Sequence, residues 1–299
     1  MKHIISESER HLSTGNCPEW LYKVVQNNVH TALTEDIPEE DLSTQTARHQ
    51  TTGEAVIVSN EAAIIAGQFW VNEVFNQMQA NLLVKWDAKD GQAVNAGQQL
   101  CTISGQLPAI LHAERCVLNF LQTLSGTATT VAHYVAQLGE DSHTLISDTR
   151  KTIPGLRLAQ KYAVVCGGGI NHRFDLSDGV LLKDNHIAMH GSIADAVNTI
   201  RKRTPNKVIE VEVRTLPQIE QALAAAVDVI MLDNFALSDI PKAVATISGK
   251  AKVEVSGNIK LKDIKTIAGY KVDYISIGAL SKHLHAIDLS MKVKPHTKR

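Results

Sequence analysis

The stretch between residues 150 and 183 carries Arg150, Lys151, Arg157, Lys161, His172, Arg173 and Lys183. Such a cluster reads in two ways, as a solvated basic face or as a site for an anion. Position separates part of the set from the first reading: Arg150 and Lys151 immediately follow an apolar strand, and Lys183 closes another. Arg157 and Lys161 lie four apart on a predicted helix and fit a solvated face. Arginine's planar fork makes two parallel hydrogen bonds to a carboxylate or phosphate, and lysine supplies a compact charge suited to a pyrophosphate. Cations gathered this closely repel unless an anion sits among them, so the expected ligand is strongly anionic.

Glu212 and Asp233 end successive strands. They read either as helix N-caps or structural ion pairs, or as carboxylates for sugar hydroxyls or for Mg²⁺ carried by a phosphorylated substrate. Beside a cationic pocket the second reading implies a ligand with both hydroxyls and phosphates, which phosphoribosyl pyrophosphate has. Ser256-Gly257-Asn258 and Gly278 end the last two strands, as plain tight turns or as loops whose backbone N–H groups hold a phosphate. Gly167-Gly168-Gly169 reads as a flexible loop, and Arg115, by residue type alone, as a surface residue of a helix. The 13 histidines show no H-E-x-x-H spacing, and no G-x-S-x-G elbow occurs.

The elements that must position these groups differ along the chain. From residue 18 to about 110 they are mixed. An amphipathic helix covers 18–34, short strands follow in EAVIVSN and AAIIAG, a helix covers 69–78 and a strand 81–86. DGQAVNAGQQLCTISG then carries hairpin punctuation. From Ala113 a long helical stretch, predicted to break near Ser125-Gly126, leads into apolar strands alternating with helices. The strands are 144–148, 179–183, 208–213, 227–233, 252–256 and 272–277. This is the pattern of a parallel sheet covered on its faces. Because nearly every strand ends in a polar group, a β/α barrel with one functional mouth is favoured over a doubly wound sheet, which concentrates its ligand groups at one switch point.

The chain has 299 residues, 44% of them apolar, and a net charge of −1, so no global positive field draws it to nucleic acid or membrane. No apolar run approaches a membrane span, and the N-terminus is too polar for a signal peptide. Cys17, Cys101, Cys116 and Cys166 form no C-x-x-C pair and read as free, mostly core thiols. A cytoplasmic protein is expected. Asp90–Leu100 is similar to the hammerhead hairpin of biotinyl and lipoyl carrier domains, but no lysine follows it, which favours a structural hairpin.

HAERCVLNFLQTLSGTAT, DTRKTIPGLRLAQKYAVVCGGGINHR, LSDGVLLKDNH, EVEV, MLDN and SIGAL, in that order over nearly the whole chain, resemble the quinolinate phosphoribosyltransferase family. The resemblance implies an α/β protein. An N-terminal α/β (α+β) domain, residues 1–114 rejoined by 285–299, packs with an open, incomplete β/α barrel, 115–284. It implies phosphoribosyl transfer from phosphoribosyl pyrophosphate to quinolinate with decarboxylation, Mg²⁺ as cofactor, and a homodimer or higher oligomer. In that assembly Arg115 acts across the interface. Arg150, His172 and Arg173, with Thr149 beside them, would bind the quinolinate carboxylates together with Arg115. Lys151 and Lys183 would contact quinolinate or the leaving pyrophosphate, Glu212 and Asp233 the ribose hydroxyls and Mg²⁺. Ser256, Gly257, Asn258 and Gly278 would cradle the 5-phosphate. The sequence departs from the family where a second glycine often stands at Asn258, and where a Thr-His pair often stands at Ser281-Lys282. A related enzyme of the same fold, such as the paralogue associated with molybdenum transport, and a non-transferase barrel acting on a phosphorylated sugar are the rival readings.

Overall fold

A computed structural model describes residues 11–37, 51–79, 81–139 and 141–295. The polar N-terminal stretch read above against a signal peptide lies, up to residue 10, outside the described residues. Packing divides the chain into two compact units. One comprises 12–130, 153–168 and the segment from 283 onward, the other 131–152 and 169–282.

The first unit opens with α1 (Glu19–Asp36), which buries Leu21, Val25 and Val29 completely, the i, i+4, i+8 row of one helix face. The strands are β1 (Thr52–Ser59), β2 (Ala63–Ile64), β3 (Leu83–Trp86), β4 (Ala93–Val94) and β5 (Gln99–Gln106), with α2 (Gln68–Gln77) between β2 and β3. The last strand of the chain, β12 (Leu289–Pro295), pairs antiparallel with β1 and completes a four-stranded sheet of order β12-β1-β5-β3. The predicted hairpin is not one. β4 pairs with β2 and β5 with β1 and β3, so the two strands flanking Asn95–Gln98 go to different sheets. Gly97 at φ 81° turns the chain between them and donates its N–H to Ser59 O.

Helix α3 (Leu107–Val135) runs through the predicted break at Ser125-Gly126. Ser125 is buried, and its Oγ accepts from Ala66 N and donates to Ala66 O. Gly126 is a packing residue: a Cβ there would stand 2.1 Å from His285 O, so only glycine lets the returning chain pass. Helix α4 (Arg157–Cys166) is buried from Ala159 to Cys166. Lys161 is therefore fully buried, against the expectation of a solvated face, because no side of this helix is left to water. Asp90 is also buried. It accepts from Tyr162 Oη (2.9 Å) and from Gln68 N at the start of α2, where the helix dipole favours a carboxylate.

The second unit carries six parallel strands: β6 (Leu145–Ser147), β7 (Val180–Leu182), β8 (Ile209–Val213), β9 (Val229–Asp233), β10 (Lys252–Ser256) and β11 (Tyr274–Ser276). Their order is β6-β11-β10-β9-β8-β7, chain order closed into a ring and left open between β6 and β7. This is the incomplete β/α barrel expected. Ile170 lies along the open edge of β6, donating to Ile146 O and accepting from Asp148 N. Helices α5 (Asp184–His190), α6 (Ile193–Arg203), α7 (Leu216–Ala224), α8 (Ile240–Ile247), α9 (Ile264–Gly269) and α10 (Ala279–Lys282) fill the connections. Among the described residues no helix is long and apolar enough to cross a membrane, and the four cysteines are free, three of them buried.

Burial raises Asp90 from its usual 3.8 to about 6, outweighing the bonds from Tyr162 and Gln68 that favour the charge. A carboxyl whose folded pKa is raised contributes stability that is present below pH 3.8 and lost as pH climbs through about 6. Asp90→Asn removes that titration. The stability difference between wild type and Asp90→Asn should shift against wild type by up to about 3 kcal/mol between pH 4 and 7. Urea denaturation of both proteins across that range reads it, and a constant difference would refute the raised pKa.

Candidate active site

Strand β8 reads Ile-Glu-Val-Glu-Val, buried at every position. Its two parities do different things. Ile209, Val211 and Val213 take one face, and Glu210 and Glu212 the other. Register extends the second face across the sheet. Glu212 pairs with Met231, Met231 with Glu254, Glu254 with Tyr274, and one step up Asp233 pairs with Ser256 and Ser256 with Ser276. Alternate strand positions thus stack a lumen with Glu210 and Glu254 inside it, and Glu212, Asp233 and Ser256 at its C-terminal mouth.

Glu210 and Glu254 are fully buried, and both face His172 Nε2, at 3.1 and 3.5 Å. Burial alone would push the imidazole pKa down, but the two carboxylates outweigh it and the net direction is upward. Burial and the Glu254 charge push Glu210 up in turn. Two charge patterns conserve the same total: an imidazolium with two carboxylates, or a neutral ring with one carboxyl protonated. Arg173 N donates to His172 Nδ1 at 2.8 Å, which requires a lone pair there and places the ring proton on Nε2. The same bond decides against a metal, although these three residues bring ligand atoms within 4.8 Å of one another, since a protonated Nε2 has no lone pair to give.

Asp148, buried at the end of β6, holds the segment that follows Ile170. It accepts from His172 N (2.9 Å) and Asn171 Nδ2 (2.7 Å). Arg173 emerges from that segment largely buried, with Nη1 on Gly179 O (3.1 Å). Burial and the neighbouring Arg150 charge both disfavour its cationic form, a tension that a bound anion would relieve. Thr149, Arg150, Lys151, Arg173, Lys183, Glu212, Asp233 and Ser256 line one cavity with His172, Leu181, Met231 and Ser276. Lys183 Nζ is paired with Glu212 Oε2.

Gly257 and Asn258 line an adjoining pocket with Asn234. Gly257, at φ 97°, could not carry a side chain, because its Cβ would lie 2.5 Å from Asn234 Oδ1. Asn258 adopts φ 49°, the left-handed region that glycine or asparagine tolerates, and donates through Nδ2 to Asn234 Oδ1. A Cβ on Gly278 would meet Lys151 Cδ at 2.7 Å, so this glycine makes room for a lysine of the mouth. Ser281 Oγ donates to Lys151 O at 2.8 Å.

The structure gathers most of the residues singled out in the sequence and alters the standing of some. His172 lines the cavity, with Nδ1 accepting from Arg173 N and Nε2 facing Glu210 and Glu254. Arg115, in α3, is exposed, with Nη2 4.0 Å from Glu114 Oε1. Sequence reasoning missed four participants: Asp148 as the anchor of 171–173, the buried Glu210 and Glu254, and Arg214. The EVEV alternation was the available signal for the buried pair. Arg214, two residues beyond Glu212, reaches Asp184, Glu212 and Asp233 together, and nothing in its local sequence marks it.

An incomplete β/α barrel whose mouth sets arginines and lysines beside two strand-end carboxylates defines an α/β barrel protein built to bind a polyanion. The models of the N- and C-terminal domains of quinolinate phosphoribosyl transferase match residues 41–125 and 127–292. A probable carboxylating nicotinate-nucleotide pyrophosphorylase of Bacillus subtilis is 40% identical over 260 residues, covering 87% of this chain and 90% of that one. The solved nicotinate-nucleotide pyrophosphorylase of Francisella tularensis superposes with a TM-score of 0.90 at 44% identity, covering 95% of this chain and all of the other. NadC of Streptococcus pyogenes gives 0.87 at 41%, covering 91% and 97%. The chain belongs to the quinolinate phosphoribosyl transferase family.

Asp148→Ala would leave the buried His172 N–H and Asn171 amide without their acceptor. At about 1–3 kcal/mol per orphaned buried group, the variant should lose on the order of 2–4 kcal/mol of stability. Chemical denaturation measures this, and an unchanged midpoint would show that Asp148 does not anchor the segment.

Proposed function

We propose that this chain transfers the phosphoribosyl group of phosphoribosyl pyrophosphate to quinolinate with loss of CO₂, giving nicotinate mononucleotide and pyrophosphate in NAD biosynthesis. The observation that carries the reading is the convergence of Arg150, Lys151, Arg173 and Lys183 with Glu212 and Asp233 at one barrel mouth, in a family whose curated relatives are named as carboxylating nicotinate-nucleotide pyrophosphorylases. The rivals, a molybdenum-linked paralogue and a non-transferase barrel, have no comparable support.

Arg150 and Arg173 would grip the quinolinate carboxylates through their planar forks, with His172 and Asp148 fixing Arg173 from behind. Thr149 would stand beside them. In a homodimer or larger assembly Arg115 would reach the site of the partner subunit, an assignment that its exposure permits. Lys151 and Lys183 would lie along the pyrophosphate, Glu212 and Asp233 would hold the ribose hydroxyls, and Ser256, Gly257, Asn258 and Gly278 would receive the 5-phosphate. The hard carboxylate oxygens of Glu212 and Asp233 suit Mg²⁺, which when bound supplies positive charge to the departing pyrophosphate.

The pyridine nitrogen would attack C1 of the ribose as the bond to pyrophosphate breaks and its electron pair leaves with that group. Lys151 and Lys183 stabilise the charge gathering on pyrophosphate, and Glu212 and Asp233 the charge developing on the sugar. The carboxylate beside the new pyridinium then departs as CO₂. The electron pair it leaves at the ring carbon is stabilised by the cationic nitrogen and takes up a proton. Most of the acceleration comes from positioning and preorganised charge, with no covalent enzyme intermediate.

Arg173→Ala should raise the quinolinate KM strongly. Lys183→Ala should lower kcat/KM at least about ten-fold, equal to about 1.4 kcal/mol. Wild-type kinetics in both would remove the proposed pocket, and turnover of nicotinate in place of quinolinate would overturn the substrate. Co-expressing Arg115→Ala with Lys183→Ala, each impaired alone, should raise activity above that of either variant through mixed dimers. No recovery would mean that Arg115 serves its own subunit or none.

A further inference from the structure

Strand β11 puts one side chain at the mouth that no step of the proposed reaction has used. Tyr274 and Ser276 share the face that carries Glu254 and Ser256 on β10, because register pairs Glu254 with Tyr274 and Ser256 with Ser276. Ser276 also pairs with Ser147 on β6, and Ile277 N donates to Ser147 O at 3.0 Å. The end of β11 is thereby tied to the strand that leads into Asp148, Thr149 and Arg150. Two residues on, the same face reaches Gly278, where a Cβ would stand 2.7 Å from Lys151 Cδ and 3.6 Å from Thr149 Oγ1. Ser276 therefore lies one step deeper in the barrel than Gly278, beneath the segment that delivers Thr149, Arg150 and Lys151.

Ser276 is 2% exposed and borders the cavity that Arg150 and Arg173 line. Its Oγ meets no hydrogen-bonding partner among the described residues, and neither does the buried Arg150 Nε in the wall of the same cavity. A buried hydroxyl without a partner destabilises a fold, so a cavity wall that retains one offers it to an acceptor outside the protein. We infer that Ser276 is a further substrate-binding residue, whose hydroxyl donates to a carboxylate of quinolinate held by Arg150 and Arg173. The inference rests on the proposed reaction for the identity of that dicarboxylate. The 5-phosphate is the competing anion, and the pocket walls separate the two. Gly257 and Asn258 line the adjoining pocket; Ser256 borders both pockets, and Ser276 only the one with the arginines. A hydroxyl suits this place because it adds a hydrogen bond without adding charge. Burial and the Arg150 charge already disfavour the Arg173 cation, and a third cation beside them would deepen that repulsion.

The test is a calorimetric titration of the intact protein with quinolinate alone, with steady-state kinetics beside it. Ser276→Ala should weaken quinolinate binding about ten-fold, the size expected for one hydrogen bond to a charged group, while the phosphoribosyl pyrophosphate KM stays within about two-fold of wild type. Ser276→Cys keeps much of the volume but donates weakly, and should weaken binding nearly as much. If Ser276→Ala fails to fold, Ser276→Cys decides alone. Quinolinate bound by Ser276→Ala as tightly as by wild type would overturn the inference. So would a loss that Ser276→Cys fully restores, which marks a packing role, or a rise confined to the phosphoribosyl pyrophosphate KM, which gives the hydroxyl to the phosphate. Wild type that binds quinolinate without converting it would remove the reaction and leave the affinities to decide on Ser276. Wild type that binds no quinolinate would overturn both.

Discussion

Two carboxylates buried in the lumen of a six-stranded barrel constrain everything above them. Glu210 and Glu254 project inward from β8 and β10 because strand geometry sends alternate residues to one face, and both meet the same imidazole. Nothing buried this fully can hold two uncompensated negative charges. Burial and the Glu254 charge push the Glu210 carboxyl up, and the bond from Arg173 N to His172 Nδ1 turns the ring's Nε2 toward both acids. His172 is thereby fixed in orientation and tautomer, and the backbone of Arg173 with it.

The mouth inherits that order. Asp148 clamps the 171–173 segment from the β6 side while the lumen cluster clamps it from below, so Arg173 leaves a framework with little freedom. An arginine held largely buried near another arginine is poised for an anion, since binding relieves both desolvation and repulsion. On the opposite wall the charges are internally paired, Lys183 with Glu212 and Arg214 with Asp233. The site therefore sets a cationic half, Arg150 and Arg173, beside an acidic half paired with its own cations. A ligand carrying carboxylates and phosphates would relieve the repulsion in the cationic half.

Glycines set the local limits. Gly257 and Gly278 leave no room for a methyl group, one against Asn234 and the other against Lys151. Asn258 occupies the left-handed conformation that glycine favours and makes a hydrogen bond to Asn234 that glycine could not. Gly126 plays a different part, admitting the chain at His285 against an uninterrupted helix.

Much of this was legible in the residue order. Apolar runs alternating with helical spacing announced a parallel β/α sheet, polar residues at strand ends announced a mouth, and the family motifs identified most of its lining. The sequence itself determined which side chains share a face, because the two-residue period of a strand is local. Tertiary structure alone decided the rest. Ser125-Gly126 looked like a break until the close passage of His285 explained the glycine. Asn95–Gln98 looked like a hairpin turn until register sent its flanking strands to separate sheets. Lys161 looked solvated until packing buried its helix on all sides. His172 sits in the lining of the mouth, and two glutamates 38 and 82 residues further along the chain face its outer nitrogen, which no local spacing foretold. Arg214 had no signature, since its importance comes from carboxylates on neighbouring connections. Pairing, register and burial are long-range quantities, and no local spacing encodes which distant charge a side chain will meet.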